Sequence, residues 1–354
     1  MAGAHLRVGI IGGGSIVRQR HLPGLRALEG VEIAAVCNRR YESTRAFADE
    51  YAIPRACFHW REVVEAGDID VIWIGTTPYM HCELILAALE AGKHVFCQSR
   101  MCMNLDEARQ IVEAAGRHPD RVVRFCPPPM GMGGDATMRR LLQQERFVGD
   151  VRQVTLTSVN GLLLDPEYPL TWRLQREQSG QNVMTLGIYL EVLDRWLGPT
   201  SRVTAVTRCW TAARRHPETG RPAPCEIPEL VNVIAELACG GIGVYVFNGL
   251  SSHGPTDHVA IHGTGGTLVY DFNADENLEQ IEGARVGQES MARIEIPTGE
   301  KGSWTVEADF IRTVRGEGSG GILPTPGAAF RYMAVIDAVH RSAATGRCVD
   351  VPEQ

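Results

Sequence analysis

Gly9-Ile10-Ile11-Gly12-Gly13-Gly14-Ser15-Ile16-Val17 is the stretch that decides the fold. It follows an apolar run beginning at Leu6 and opens a helical pattern, the context in which a glycine-rich turn of the G-x-G-x-x-G type carries meaning. Gly12 then permits the tight turn and Gly14 lets a pyrophosphate approach the backbone. The helix start supplies free N–H groups and positive partial charge. Gly13, Ser15 and Ile16 complete the expected phosphate cradle. The third fingerprint position holds Val17 instead of Gly or Ala, a change expected to loosen helix-to-strand packing while leaving the phosphate contact intact.

Outward from this turn, short apolar runs alternate with helical patterns as far as Cys126, as in a parallel sheet with crossover helices. Strands are expected at Leu6–Ile11, Glu32–Cys37, Val71–Gly75, His94–Cys97 and Val122–Cys126. Between them lie amphipathic segments, one from Cys82 stopped by Gly92 and one from Leu105 to Ala115 stopped by Gly116. Val71-Ile-Trp-Ile is continuously apolar, as a strand covered on both faces should be. After Pro127-Pro-Pro the character changes. A helix at Ala136–Gln144 and an alternating strand at Val151–Val159 lead to strands at Arg202–Cys209, Leu230–Leu237, Ile242–Asn248, His258–His262 and Thr267–Asp271. Gly240-Gly241 and Gly265-Gly266 read as hairpin turns, and a late helix, Ala328 to Ala344, ends at Gly346. The expected class is α/β. Residues 1–126 form a Rossmann parallel sheet, and residues 127–354 form an α+β domain with a large, mostly antiparallel open sheet. The final helix is free to pack on either.

The chain has 354 residues, 44% hydrophobic and 22% charged, enough for two cores. A formal net charge of -7 argues against nucleic acid and anionic membrane as partners. The doublets Arg139-Arg140 and Arg214-Arg215 read as solvated surface. No apolar run approaches the ~20 residues that span a bilayer. No leader pattern is read at the start, and the ten cysteines, many of them inside apolar strands (Cys37, Cys97, Cys126 and Cys239), read as reduced thiols. A cytoplasmic protein without a metal site is the expectation.

The second strand ends in Asn38-Arg39-Arg40, where a carboxylate would hold the ribose hydroxyls of NAD. Two guanidinium groups favour an adenosine 2′-phosphate, hence NADP over NAD. The alternative is that both arginines are solvent-exposed turn residues.

With these residues in view, the chain resembles the glucose-fructose oxidoreductase, inositol dehydrogenase and MocA family, written Gfo/Idh/MocA. The likeness covers nearly the whole length: the Gly12–Ile16 turn, Thr77-Pro78-Tyr79-Met80-His81, the run from Ala88 to Val95, Leu105-Asp-Glu-Ala-Arg, Trp172-Arg173, Ser179-Gly180, Leu186-Gly187-Ile188 and the run His262 to Leu268. The resemblance implies an NAD(P)-dependent oxidoreductase of sugars, cyclitols and related polyols. It places Thr76, Thr77, Pro78, His81 and Gln98 at the nicotinamide end. It also implies a homodimer or homotetramer, because open sheets in the family often pair face to face.

The family's fifth strand usually runs into Glu-Lys-Pro; here the matching residues are Gln98-Ser99-Arg100. The family's second motif, an Asp four residues before a His on one helix face, falls on Thr185 and Tyr189. Removing hydride from a secondary alcohol requires a group to take the hydroxyl proton. Ser99, Thr185, Tyr189 and His81 are the candidates on offer. A phenol near pKa ~10 serves if a cation lowers it, and Arg100, Arg173 or Arg176 could supply that charge. The competing reading makes Tyr189 a packing residue beside Leu186, Leu190 and Leu193. Trp172, Arg173, Arg100 and Tyr189 are the candidate substrate contacts, with a surface salt bridge as the other reading of Arg173. His253, Asp257 and His258 form a polar cluster read as a loop, since its spacing is no metal motif.

Three functions fit. The first is an NAD(P)-dependent oxidoreductase with Tyr189 as acid/base. The second is a redox-neutral lyase, glycosidase-like enzyme or isomerase using bound NAD(P), and the third is a catalytically silent cofactor-binding subunit.

Overall fold

A computed structural model of the chain describes residues 5–126, 132–253, 257–273, 278–318 and 322–353; the Pro127-Pro-Pro break lies outside them. The chain divides into two compact units, Met1–Pro127 with Trp304–Phe330, and Pro128–Ser303 with Arg331–Gln354.

The first unit is built on a six-stranded parallel sheet of β1 (Leu6–Ile11), β2 (Val31–Cys37), β3 (Arg55–Ala56), β4 (Val71–Ile74), β5 (His94–Cys97) and β6 (Val123–Phe125), in the order β3-β2-β1-β4-β5-β6. Chain order reverses between β1 and β4, so the carboxyl ends of these strands frame the crevice where open α/β sheets bind ligands. Crossover helices are α1 (Leu22–Arg26), α2 (Tyr41–Glu50), α3 (Trp60–Val64), α4 (His81–Glu90) and α5 (Leu105–Arg117). The α5 helix starts where Asn104 accepts the Glu107 N–H at 2.9 Å, and it buries Leu105, Ala108, Ile111 and Ala114 along one stripe. It runs through Gly116 to Arg117, because a glycine in a last turn costs only about 1 kcal/mol and does not by itself stop a helix.

These units differ from the expected limits 1–126 and 127–354 in holding Pro127 and, more consequentially, Trp304–Phe330 with the first. The cause is packing. Trp73 and Phe96 stack at 3.9 Å between ring centres, and Phe310, from the helix Val306–Val314, meets both edge-on at 5.5 and 5.6 Å. Glu307 of the same helix lies 2.5 Å from Nδ1 of the fully buried His21 and accepts from the Trp304 indole N–H. Fully burying an aromatic such as Phe310 contributes roughly 1.5–3 kcal/mol.

The second unit carries a nine-stranded sheet and a hairpin. Its strands are β7 (Val151–Val159), β8 (Thr200–Arg208), β9 (Ala213–Arg215), β10 (Pro222–Pro224), β11 (Leu230–Leu237), β12 (Ile242–Asn248), β13 (Asp257–Gly263), β14 (Gly266–Asn273), β15 (Leu278–Arg285), β16 (Ala292–Ile294) and β17 (Val349–Asp350). The order is β16-β15-β14-β13-β7-β12-β11-β8-β17, with β9 paired to β10. All neighbours are antiparallel except β7 and β12. Helices α6 (Asp135–Arg139), α7 (Arg176–Ser179) and α8 (Leu186–Leu197) precede the sheet's later strands; α9 is Val306–Val314, and α10 (Pro326–Thr345) ends at Gly346, whose φ is +67°.

One face of this sheet is buried by Val154, Leu156, Val231, Val233, Tyr245, Phe247, Val259 and Tyr270. Trp196 of α8 meets Tyr270 at 5.7 Å. Gly187 lets α10 approach α8, since a Cβ there would lie 2.9 Å from Ile336. The other face exposes Val206, Ile234 and Ile242.

Two expectations are overturned, one by strand alternation and one by a turn. Arg214 points inward from β9 and is buried, while Arg215 faces out. Cys239 lies exposed in the turn between β11 and β12, not inside a strand; Cys37, Cys97 and Cys126 are buried.

Candidate active site

The glycine turn sits at the carboxyl end of β1, held from both sides. Gly12 donates its N–H to the Cys37 carbonyl at 2.8 Å, and Gly75, just after β4, donates to the Ile11 carbonyl at 2.8 Å. With φ at +92°, Gly12 adopts a backbone conformation that side chains disfavour, and a Cβ there would lie 2.7 Å from Gly75 and Thr76. Gly14 differs: an added Cβ would meet only the Gly75 carbonyl oxygen, at 3.8 Å, so the space above it is open. Gly14 and Ser15 are exposed and Ile16 partly so. The open cradle faces the start of a helical run, where the first N–H groups have no partner within the helix. It fits a pyrophosphate.

Val17 does not loosen the packing. It is fully buried, and its side chain fills the space that Gly75 leaves by having none.

At the end of β2, Asn38 is engaged in three directions. Its Oδ1 accepts the Gly13 N–H at 2.6 Å, its side-chain amide donates to Ser43, and its backbone N–H donates to the Thr44 hydroxyl at 2.9 Å. Asn38 therefore ties the phosphate turn to the second strand. Arg39 and Arg40 follow it at the surface.

The loops after β4 and β5 are joined by His81. Its Nε2 lies 3.0 Å from the Thr76 carbonyl and its Nδ1 lies 2.8 Å from the Arg100 carbonyl, with the ring fully buried. Burial pushes its pKa below the usual histidine value. A ring with both nitrogens held against carbonyl oxygens and no exposure is not placed to collect a substrate proton, so His81 is a brace instead of a base. The loops it braces carry Thr76, Thr77 and Pro78 on one side and Gln98, Ser99 and Arg100 on the other. Gln98 is buried and accepts the Ser99 N–H at 3.1 Å; the Ser99–Arg100 peptide is cis, and Arg100 is buried.

In the second unit, Thr185 and Tyr189 stand one turn apart at the start of α8. The Thr185 hydroxyl meets that of Ser158, on β7, at 2.8 Å. Tyr189 is 2% exposed, and its hydroxyl bonds to the carboxylate of Asp257. Burial first, then Asp257, pushes the phenol far above its ordinary pKa. A carboxylate, not the expected guanidinium, faces this hydroxyl, so Tyr189 stays protonated and acts as a donor. Of the arginines considered, Arg173 lies over the Trp172 ring at 4.3 Å, and Arg176 bonds to the Glu226 carbonyl.

The expected cluster His253, Asp257 and His258 separates. His253 meets Ser252 at 3.0 Å and His258 meets Asp271 at 2.6 Å, while Asp257 begins β13 and turns to Tyr189. Among the described residues no group of three or more His, Cys, Asp or Glu is placed to hold a metal ion.

Two features escaped sequence reasoning. Arg214 donates to the carbonyls of Leu163, Asp165 and Tyr168 at 2.6, 2.8 and 3.1 Å and faces Glu229 at 3.4 Å, pinning the segment that leads to Trp172. Glu191 of α8 is buried with Arg195 at 3.4 Å, and burial lifts its pKa to about 7. The alternation of β9 and the polar residue on an otherwise apolar α8 were the available signals.

Comparison with known proteins gives a consistent result. A family model described as "Oxidoreductase family, NAD-binding Rossmann fold" matches residues 6–124, and one described as "GFO/IDH/MocA C-terminal domain" matches residues 136–269. Levoglucosan dehydrogenase of Pseudarthrobacter phenanthrenivorans is 24% identical over 99% of both chains. 1,5-Anhydro-D-fructose reductase of Ensifer adhaerens is 30% identical over 50% of this chain and 52% of that protein, so this match spans about half of the relative's length. Among solved structures, a levoglucosan dehydrogenase in complex with NADH and L-sorbose superposes with a TM-score of 0.82 at 21% identity, covering 98% of this chain and 99% of that one. An oxidoreductase domain protein from Kribbella flavida gives 0.83 at 20%, covering 99% and 100%. These structural likenesses establish the fold. Among the described residues no helix is long and apolar enough to cross a membrane.

Proposed function

This chain belongs to the Gfo/Idh/MocA family of oxidoreductases, and on that premise we propose that it is an NAD(P)-dependent oxidoreductase of a small sugar-like alcohol or its carbonyl form. The observation that carries the reading is the open cradle over Gly14 at the point where strand order reverses, with Asn38, Thr76 and Gln98 at the carboxyl ends of the adjoining strands. The curated relatives are named for sugar-derived substrates, levoglucosan and 1,5-anhydro-D-fructose, which supports the substrate class.

A bound nicotinamide dinucleotide supplies the hydride acceptor or donor. The residues of the chain hold it and manage the proton. Backbone N–H groups of Gly14 to Ile16 bind the pyrophosphate, on a turn that the Gly13 bond to Asn38 holds in place. Arg39 and Arg40 receive an adenosine 2′-phosphate, and the amide Asn38 in place of a carboxylate removes a repelling charge, so NADP is preferred to NAD. Thr76, Thr77, Pro78 and Gln98, stiffened by His81, line the nicotinamide end. For substrate, the residues proposed are Ser99 and Arg100 in the first unit and, in the second, Trp172, Arg173 and Thr185, with Tyr189 buried behind them on α8. Pairing through the open face that exposes Val206, Ile234 and Ile242 makes the protein a homodimer or homotetramer.

The test is titration of the purified protein with NADP+, NADPH, NAD+ and NADH by calorimetry. A screen of levoglucosan, L-sorbose, 1,5-anhydro-D-fructose and myo-inositol at the nicotinamide absorbance follows. Expected are micromolar dinucleotide binding, tighter for the phosphorylated form, and turnover of at least one sugar. Dinucleotide binding without turnover of any sugar or related ketone would count against it.

A further inference from the structure

We propose that Cys209 and Cys225 are a thiol pair that closes to a disulfide by exchange with a small disulfide such as oxidised glutathione, and that the bridge locks the segment 160–175, which carries Trp172 and Arg173. Both cysteines and the segment lie in the second unit, so the inference stands apart from the dinucleotide reading.

Cys209 follows β8 and Cys225 follows β10. The fold, not their spacing, brings them together. The Cys225 N–H donates to the Ala212 carbonyl at 3.1 Å, extending the β9–β10 hairpin by one pair, and the Glu229 N–H donates to the Arg208 carbonyl at 2.8 Å, so the chain that leaves β8 and the chain that enters β11 run beside each other. There the Cys209 thiol donates to the backbone carbonyl of Cys225 at 3.5 Å, and at the same distance to that of Thr211. One sulfur thus already touches the residue that bears the other. Rotation of the Cys225 side chain between staggered positions is the movement that closure requires. Cys209 is exposed, and Cys225 is half-buried against the apolar cluster of Leu163, Leu170 and Leu174. The first thiol is open to a small disulfide and the second to the first.

The hairpin between the two cysteines carries Arg214, which holds the carbonyls of Leu163, Asp165 and Tyr168. Glu229, facing Arg214, also accepts the N–H groups of Trp210 and Thr211, next to Cys209. A bridge closes the loop 209–225 around this hairpin and removes open states in which Arg214 lets go of the segment.

In the first step Cys209 gives up its proton and attacks one sulfur of the small disulfide; that S–S bond breaks and one thiolate leaves and is protonated. Cys225 then gives up its proton and attacks the Cys209 Sγ, the mixed disulfide breaks, and the second thiolate leaves. Two protein thiols are oxidised to one disulfide while one small disulfide is reduced to two thiols. Burial raises both thiols above the ordinary cysteine value, Glu229 adds to the rise and the Arg214 guanidinium opposes it, so exchange is slow at neutral pH and is best run at about pH 8.

The experiment exposes the full-length wild type, C209S and C225S to oxidised glutathione, caps remaining thiols with N-ethylmaleimide and maps peptides without reductant. Expected in the wild type is a joined pair of peptides holding Cys209 and Cys225, two hydrogens lighter than the free thiols, while the other exposed cysteines, Cys239 and Cys348, carry glutathione only. In C225S, Cys209 should stop at the glutathione adduct. Limited proteolysis between residues 160 and 175 should slow about fivefold or more in the bridged wild type, return to its starting rate with dithiothreitol, and be indifferent to glutathione in C209S. The wild-type map requires no variant to fold. A wild type in which Cys209 keeps glutathione or stays free, or a bridge that leaves cleavage of 160–175 unchanged, overturns the proposal. Neither result bears on dinucleotide binding, which the calorimetric titration measures separately.

Discussion

The Gly13 N–H donates to Oδ1 of Asn38 at 2.6 Å, so the residue that ends the second strand also sets the phosphate turn at the end of the first. Replacing Asn38 by Asp keeps an acceptor for Gly13 and introduces a negative charge where the 2′-phosphate is proposed to lie. N38D should weaken NADPH at least tenfold relative to NADH, about 1.4 kcal/mol. The two dissociation constants, measured by calorimetry, check it; an unchanged ratio would remove Asn38 from cofactor choice.

Gly12 and Gly14 separate structure from binding. Gly12→Ala forces a side chain into positive φ and against Gly75, and should lower stability by about 1–3 kcal/mol. Gly14→Val enters open space and should leave the unfolding midpoint nearly unchanged while abolishing dinucleotide binding. Chemical denaturation and calorimetry on both variants decide the matter, and a Gly14→Val protein that still binds would contradict the placement of the cradle.

His81 links stability to pH. Its folded pKa is depressed, so its contribution is complete above the unfolded value near ~6.5 and declines as pH falls below it, where the unfolded chain takes up a proton that the folded one resists. His81→Gln should cost about 1–3 kcal/mol at pH 7.5 and flatten the loss of stability between pH 7 and 5. Denaturant midpoints across that range test the sign. Burial also lowers His94 and His340, so part of the slope should remain.

Glu191 works in the opposite direction. Its folded pKa, lifted to about 7, lies above the unfolded value, so folding favours its protonated form and stability falls as pH rises from ~4.3 through 7. Glu191→Gln should gain about 1–3 kcal/mol at pH 8 relative to the wild type and little at pH 5. An equal effect at both values would show that the buried carboxyl does not titrate in this range.

Arg214→Met leaves the Glu229 carboxylate and three loop carbonyls without their donor and should cost about 3–5 kcal/mol. Limited proteolysis should then cut between residues 160 and 175, ahead of global unfolding. Resistance equal to the wild type would mean that the loop is held by its apolar cluster of Leu163, Leu170 and Leu174 alone.

Much of the first unit was legible because parallel strands covered on both faces leave unbroken apolar runs, and the strands at Leu6–Ile11 and His94–Cys97 fall where those runs do. The two-residue β3 is too short to leave such a mark, and α3 spans only five residues. Val17 looked like a defect because its compensation, Gly75, lies 58 positions away. Arg214 was misread since a doublet of arginines suggests surface, while a strand sends neighbours to opposite faces. The placement of Asp257 beside Tyr189 depends on the pairing of β13 with β7, a long-range relation that no local pattern announces.

The return of Trp304–Phe330 to the first unit has a consequence for synthesis. Trp73, Phe96 and His21 are made early, yet the groups that complete their surroundings, Phe310 and Glu307, are translated about 180 residues after the rest of that core. At roughly 5–20 residues per second the nascent Rossmann sheet waits on the order of ten seconds or more with an apolar face and a buried-type histidine still open to water. The second unit emerges meanwhile and has most of its own strands before the first is finished. The first unit is thus begun before the second but completed only by residues made after most strands of the second.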